Sequence, residues 1–456
     1  MSMGRRKRRV QGELWVASDA LPAIPRHVFY EKLNELLAEG GFDDLVEELG
    51  EPFYADNVGR PGIPLGVYFR MLFVGYFEGI DSQRGIAWRC ADSRSLAAFL
   101  GYPINDQTPD HSSLTRIRQR LSEEVHHQVF TFVLQLADEH RLLSNKTAAV
   151  DSTYLEANAA MKSIVRKESG EDWKEYLRRL AEEAGVEINN DEDLRKFDKQ
   201  RTGKKVPNSE WESKTDPDSR IMKMKDGRTH LAYKAEHTVD LESEFLLDAS
   251  VYAADRADSE TLVESLTSAQ QNLDEAEVGG RGIEEVAADK GYHSNENLAA
   301  CRRWNYFGVR TYIPEPESRY ERRWTDKPPE YEEAYRANRR RVQGDRGKRL
   351  QKKRSELVER SFAHVCETGG ARRTWLRGLE NVNKRYQITA AARNLGLIMR
   401  QLFGIGKPRC LQGGFGLFYS LQLAITTLCG RRRGVVTHAA LQSIHHRSLS
   451  WHPQSA

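Results

Sequence analysis

Between Thr147 and Ile313 short apolar runs recur at strand length, first as a hairpin and then in alternation with helix-length segments. That order leaves few folds open. Thr147–Asn158 reads as a strand, apolar up to Asp151. His230–Asp240 and Phe245–Ala253 follow, joined by the polar turn Leu241–Glu244. Ser259–Leu273 carries Leu262, Leu266 and Ala269 at helical spacing, with Asp258 as its expected N-cap. Then come a buried strand over Glu284–Asp289, a helix over Asn295–Trp304 and a strand over Phe307–Ile313. A hairpin followed by β-α-β-α predicts an α/β class, a mixed sheet flanked by helices.

The segments before and after this series have different patterns. Residues 25–145 read as helical. Leu65–Phe77 is apolar nearly all round, as the central helix of a bundle is. Ser95–Leu100, Thr108–Leu121 and Ser122–Arg141 supply further helices. In the second of these, Asp110 or Ser112 caps the start, and Arg116, Arg118 and Arg120 are expected to point outward. The pattern suits a helix-turn-helix-like DNA reader and a plain bundle equally. Charged stretches at 162–218, with a helix at Asp172–Gly185, and at 315–354 read as insertions, and a helix follows at Ser355–Glu367. The expected domains are a basic arm (1–24), a helical DNA-binding domain (25–145), a catalytic domain (146–400) and a basic tail (401–456).

Composition bears on the partner. With 69 Lys+Arg against 66 Asp+Glu the net charge is only +3, which argues against nucleic acid until it is divided. The last acidic residue is Glu380. Residues 381–456 hold ten Lys/Arg, and the remainder holds 59 basic and 66 acidic groups, so a −7 body carries a +10 tail. Arg5–Arg9 and the nine basic residues of Arg339–Arg354 add two further blocks. Such asymmetry points to a polyanion. The five cysteines have no C-x-x-C spacing, which fits free thiols in a reducing cytosol. Met1–Asp19 lacks the apolar stretch of a secretory signal. Phe415–Cys429 is too short and polar for a membrane span, so a cytoplasmic protein is expected. A zinc site from His438, His445, His446 and His452 is disfavoured, because no Cys or acidic ligands accompany them.

Asp151 closes Ala148-Ala-Val150, and Asp289 closes Val286-Ala-Ala288. In open α/β sheets chemistry collects at the carboxyl ends of strands. Two carboxylates there repel unless a cation neutralises them, and Mg²⁺ suits few carboxylates plus water and phosphate oxygens. On the helix after Arg354, Val358, Phe362 and Val365 form the core stripe. Glu359 falls one step to its side, whereas Glu356 and Glu367 point to solvent. Glu359 is therefore expected at the core edge, completing a two-metal set with Asp151 and Asp289.

Several short motifs share one order: Asp151-Ser-Thr with Glu156-Ala-Asn158, Thr215-Asp-Pro-Asp-Ser-Arg220 leading into Tyr233-Lys-Ala, Ala288-Asp-Lys-Gly-Tyr292, Val358-Glu-Arg-Ser-Phe-Ala-His364, and Leu376-Arg-Gly-Leu379. In this they resemble DDE transposases of bacterial insertion sequences. Phe69–Leu121, with Gly79-Ile-Asp-Ser-Gln-Arg-Gly-Ile-Ala-Trp88, resembles the helical domain that precedes the catalytic one in that family. The resemblance spans about residues 15–400. It implies an RNase H-like catalytic domain with Asp151, Asp289 and Glu359 as catalytic and metal-binding carboxylates, and Mg²⁺ or Mn²⁺ as the metal. One departure stands out. Many relatives place Tyr, Arg and Lys at −7, −4 and +7 around the glutamate, and here those positions are Lys352, Ser355 and Cys366.

The reaction implied is cleavage at the ends of a mobile element and strand transfer into target DNA. Lys290, Arg354 and Arg360 would contact phosphates, as would the arginines of 116–120. Double-stranded DNA is the expected partner, with a homodimer or higher oligomer joining two element ends near the nucleoid. Two other readings are a catalytically silent DNA-binding regulator and a host metal-dependent nuclease.

Overall fold

A computed structural model describes residues 27–55, 62–103, 105–202, 207–224, 226–304, 308–317 and 322–408. The basic arm, the Phe415–Cys429 run and the four tail histidines lie outside the described residues.

The described residues open with α1 (Val28–Glu39), α2 (Phe42–Gly50), α3 (Leu65–Glu78), α4 (Gln83–Asp92), α5 (Arg94–Phe99), α6 (His111–Arg120) and α7 (Glu123–Glu139). Every residue of α3 from Leu65 to Phe77 is buried, as its all-round apolar sequence requires. The one charge within that buried run, Arg70, is matched by a fork of bonds to Asp43 on α2 at 2.5 and 2.7 Å. Gly66 makes that approach possible, since a Cβ there would stand 1.9 Å from Asp43 Oδ1. Asp110 caps α6, and Ser122 caps α7.

The sheet comes next in sequence. It begins with β1 (Thr147–Glu156), and an excursion follows: β2 (Ile164–Arg166), α8 (Trp173–Glu183), α9 (Asp191–Gln200) and β3 (Trp211–Ser213). β2 and β3 form a separate two-stranded ribbon, so the first insertion is outside the main sheet as expected. The chain then runs through β4 (Arg220–Lys223), β5 (Thr229–Asp240), β6 (Leu246–Ala253), α10 (Asp258–Glu275), β7 (Glu285–Ala288), α11 (Asn295–Arg303) and β8 (Arg310–Tyr312). The sheet order is β4-β5-β1-β7-β8, with β6 also pairing with β5. β5 is antiparallel to β1, whereas β7 is parallel to β1 and β8 is parallel to β7. This is the mixed α/β sheet expected from the element order.

Side chains alternate across the sheet. Ala148, Val150, Val286 and Ala288 join Leu262, Leu266 and Leu298 of α10 and α11 in one core. Ala149, Ala235, Val239 and Ala287 join a second core that continues without interruption into the helical bundle. The remaining helices are α12 (Pro329–Gln343), α13 (Asp345–Phe362) and α14 (Leu379–Phe403), and a π-helical turn, Ala363–Thr368, extends α13. α14 connects the second core to the bundle, packing against α7 and α3 on one side and β6 on the other.

Three expectations need correction. The second insertion is largely helical, and α13 starts at Asp345, well before Ser355. Gly347, Leu350 and Arg354 bury its face, which a reading based on apolar residues alone misses. β8 is only three residues long among those described. Asp258 does not cap α10; it is the helix's first residue, and its side chain turns to Ser152 and Lys234.

Candidate active site between β1 and the end of β7

Parallel pairing aligns Val150 with Ala288, so Asp151 and Asp289, the next residues, stand side by side. Asp151 continues β1, whereas Asp289 leaves the sheet at the start of a 3₁₀ turn over Lys290–Tyr292. Asp151 points to the α13 side and is partly buried; Asp289 is exposed. Asp151 Oδ1 accepts the Ser152 N–H at 2.8 Å, and Oδ2 accepts from Arg354 Nη1 at 2.7 Å. Burial raises the Asp151 carboxyl above its ordinary range; Arg354 and the Ser152 N–H oppose this, and the charge of Asp289 adds to it.

α13 crosses this end of the sheet. Gln351 donates to the Ala288 and Tyr312 carbonyls, the last residues of β7 and β8, at 3.2 and 2.5 Å. Its Oε1 accepts from Arg354 Nε at 3.3 Å. Arg354 is thus aimed from behind at Asp151 and is only 8% exposed.

Glu359 is placed differently from the expectation. Val358, Phe362 and Val365 are buried as read, but so are Leu350, Arg354, Leu357 and Ser361. These additional residues turn the buried arc away from Glu359, which lies about 140° around the helix from Arg354. Glu359 is exposed, like Glu356 and Glu367. Among the described residues, the only triad of potential metal ligands within 4.8 Å of one another is Glu124, His127 and Glu275. It lies at the far end of α10, about 25 Å along that helix from Asp258.

The expected DNA-contacting residues divide in the same way. Arg116 and Arg120 are exposed, with Arg120 over the Tyr54 ring. Arg118 is not outward. It is 9% exposed, donates to Asn381 of α14 at 3.2 Å, and its guanidinium pKa is lowered by burial. Residues two apart lie about 200° apart on a helix, so Arg118 falls beside the buried Leu114 and Ile117. Lys290 is exposed immediately after Asp289. Arg360 binds Glu244 and Glu356 at 2.8 and 2.6 Å; Glu244 follows β5, at the edge where β1 begins, away from the aspartates.

A buried network beneath the aspartates escaped the reading of the sequence. On the α10 side of the sheet, Lys234 lies 2.8 Å from Asp258 and 3.2 Å from Glu236. Glu236 also accepts from Thr261, Ser265 and Tyr292, and Asp258 accepts from Ser152. Burial raises the Glu236 carboxyl, with Lys234 opposing. The available signal was two opposite charges, Lys234 and Glu236, at alternate positions of one strand and so on one face of it. A second link joins two quoted motifs. Asp216 accepts from Tyr233 and from Gly378 N, and Asp218 accepts from Leu379 N, so Thr215–Arg220 holds the start of α14.

A mixed six-stranded sheet that sets Asp151 within β1 beside Asp289 at the end of β7 is an RNase H-like arrangement. Residues 18–120 match the family described as Transposase domain (DUF772), and residues 316–399 match the family described as Transposase DDE domain. The two matches, a transposase domain ahead of a DDE domain, support a DDE transposase of an insertion element. No curated protein and no solved structure matches it. Among the described residues no helix is long and apolar enough to cross a membrane.

Proposed function

We propose that this transposase cuts the ends of its element and transfers the freed strands into target DNA, with Asp151 and Asp289 as paired metal-binding carboxylates. The observation that carries this reading is their juxtaposition across the β1–β7 register. The donor set fits a hard divalent cation such as Mg²⁺ or Mn²⁺: two carboxylates lie side by side, one raised by burial and by its neighbour's charge and already drawing in a guanidinium. When bound, such ions supply charge neutralisation and activation of the attacking oxygen in phosphodiester chemistry. Asp151 and Asp289 hold the reacting phosphate's end of the sheet in register, and the network through Ser152, Asp258 and Lys234 fixes β1 from below. Glu359 is proposed as the third carboxylate on the Val358–His364 resemblance; it is exposed on α13 and would have to join the pair in the loaded complex.

Double-stranded DNA is the proposed partner, held by Arg116, Arg120, Lys290 and the basic residues of α12 and α13. Joining two element ends calls for at least a dimer. The test is incubation of the full chain with a duplex carrying its element end and Mg²⁺, mapping nicked phosphodiesters. Asp289→Asn is expected to abolish nicking, with duplex binding in a gel shift unchanged; Glu359→Gln is expected to do the same. Persistent nicking in Asp289→Asn removes the site. Duplex binding without metal-dependent nicking by the wild type favours the silent regulator.

A further inference from the structure

We infer that Arg354 is a displaceable counter-cation: its guanidinium holds the place at Asp151 that a divalent ion takes, and it must leave before metal can load. The inference rests on the site reading above. Both Asp151 oxygens are already engaged, Oδ1 by the Ser152 N–H at 2.8 Å and Oδ2 by Arg354 Nη1 at 2.7 Å. The Ser152 bond is local to β1. Arg354 therefore stands between Asp151 and an incoming ion. Asp289, alongside, is exposed and lacks the engagement that Arg354 gives Asp151. One half of the carboxylate pair is thus open, and the other is covered.

The covering is built into the fold. Gln351 is held to the terminal carbonyls of β7 and β8 and carries Arg354 Nε on its amide oxygen. Arg354 is 8% exposed, while Lys352 and Lys353 beside it on α13 are exposed. A guanidinium does not lose its charge at working pH, so it cannot vacate Asp151 by deprotonation. It leaves only for another anion, and the anion it holds best is a planar or forked oxygen pair such as a phosphate. A divalent ion shared by Asp151 and Asp289 brings two charges where Arg354 brings one. DNA and metal therefore cooperate: a backbone phosphate that takes Arg354 uncovers Asp151, and metal that takes Asp151 frees Arg354 for the phosphate. By linkage the coupling is reciprocal.

The measurement is Mn²⁺ binding to the full-length protein by electron paramagnetic resonance, with and without a short duplex. Wild type is expected to bind Mn²⁺ roughly tenfold or more tightly with duplex than without, the scale of one charge-assisted hydrogen bond. Arg354→Gln is expected to bind Mn²⁺ tightly without duplex and to gain little from adding it. Arg354→Lys, which keeps the charge but loses the fork and the Gln351 contact, is expected between the two, and it serves if Arg354→Gln does not fold. Mn²⁺ affinity without duplex that is unchanged or weaker in these variants overturns the inference. The double variant Asp151→Asn, Arg354→Gln separates the two readings. Loss of tight Mn²⁺ binding in it is expected, and its survival places the ion elsewhere and removes the site reading itself.

Discussion

Single residues on one helix have opposite physical roles here, and α6 shows it most clearly. Arg116 is exposed and donates to Ser112 one turn earlier, whereas Arg118 is enclosed between α6 and α14 with its Nη1 lacking a hydrogen-bond partner among the described residues. Arg116→Ala should therefore weaken duplex binding uniformly across sequences and reduce the salt slope by about one, with the melting temperature unchanged. Arg118→Ala should instead lower stability, by roughly 1–3 kcal/mol for the lost bond to Asn381 and the lost packing, as read by urea unfolding. The reverse outcome would return Arg118 to the DNA surface. Spacing in the sequence placed the three arginines together because it counted charges; the helical angle separates them, and Leu114 and Ile117 decide which side is inside.

At the scale of elements, the edge of the sheet is protected by side-chain amides. β6 pairs with β5 on one side only, leaving backbone groups on the other that could recruit another strand. Asn394 of α14 accepts from Leu246 N at 3.0 Å and donates to Leu246 O at 2.9 Å, as a paired strand would, and Asn383 accepts from Val251 N at 3.1 Å. Asn394→Ala leaves both Leu246 groups buried and unpaired. A loss of about 2–4 kcal/mol by urea unfolding is expected, whereas a change below about 0.5 kcal/mol would show that water replaces the amide. α14 also explains why its own sequence was hard to read. Arg393, Asn394, Gln387 and Lys384 are buried along it, so its inward surface is polar where it caps other elements, and no apolar stripe announces it.

Across the whole molecule, the bundle and one face of the sheet share a core, and buried neutral histidines stand on both sides of the junction. His126 of α7 bonds to the Tyr68 hydroxyl and the Ser122 carbonyl, and burial lowers it to about 4. His237 of β5 bonds to Ser361 and Tyr386 and stacks on Phe362, and burial holds it well below its ordinary value. Because these groups bind protons more weakly when folded, the unfolded chain gains protons first as pH falls below about 6.5. Their stabilising contribution is complete above that pH and declines below it; for His126 the loss levels off near its folded value of about 4. Stability should fall by a few kcal/mol between pH 7 and pH 4, and far-UV circular dichroism and tyrosine fluorescence should report one shared transition. Two separate transitions would mean that the bundle and the sheet unfold independently.

Much of this architecture was legible in the chain alone. Strand and helix periods depend on near neighbours, so β1, β5, β6, β7, α3 and α10 could be read where the structure places them, and Asp289 needs only its own strand to be located, whereas β1 runs on past Asp151 to Glu156. The parallel pairing that joins Asp151 to Asp289 is different: β5, β6 and α10 lie between β1 and β7 in the chain, and only the folded sheet makes the two strands neighbours. What the chain could not state is which side of a charged helix turns inward. α13 buries Arg354 and exposes Glu359 because Gln351 holds the helix to the strand-end carbonyls and Asp151 supplies the counter-charge, partners far away in sequence. Arg118, Lys234 and Asn394 follow the same rule. Apolar burial is announced by local pattern, whereas polar burial depends on a partner that only the folded chain brings within reach.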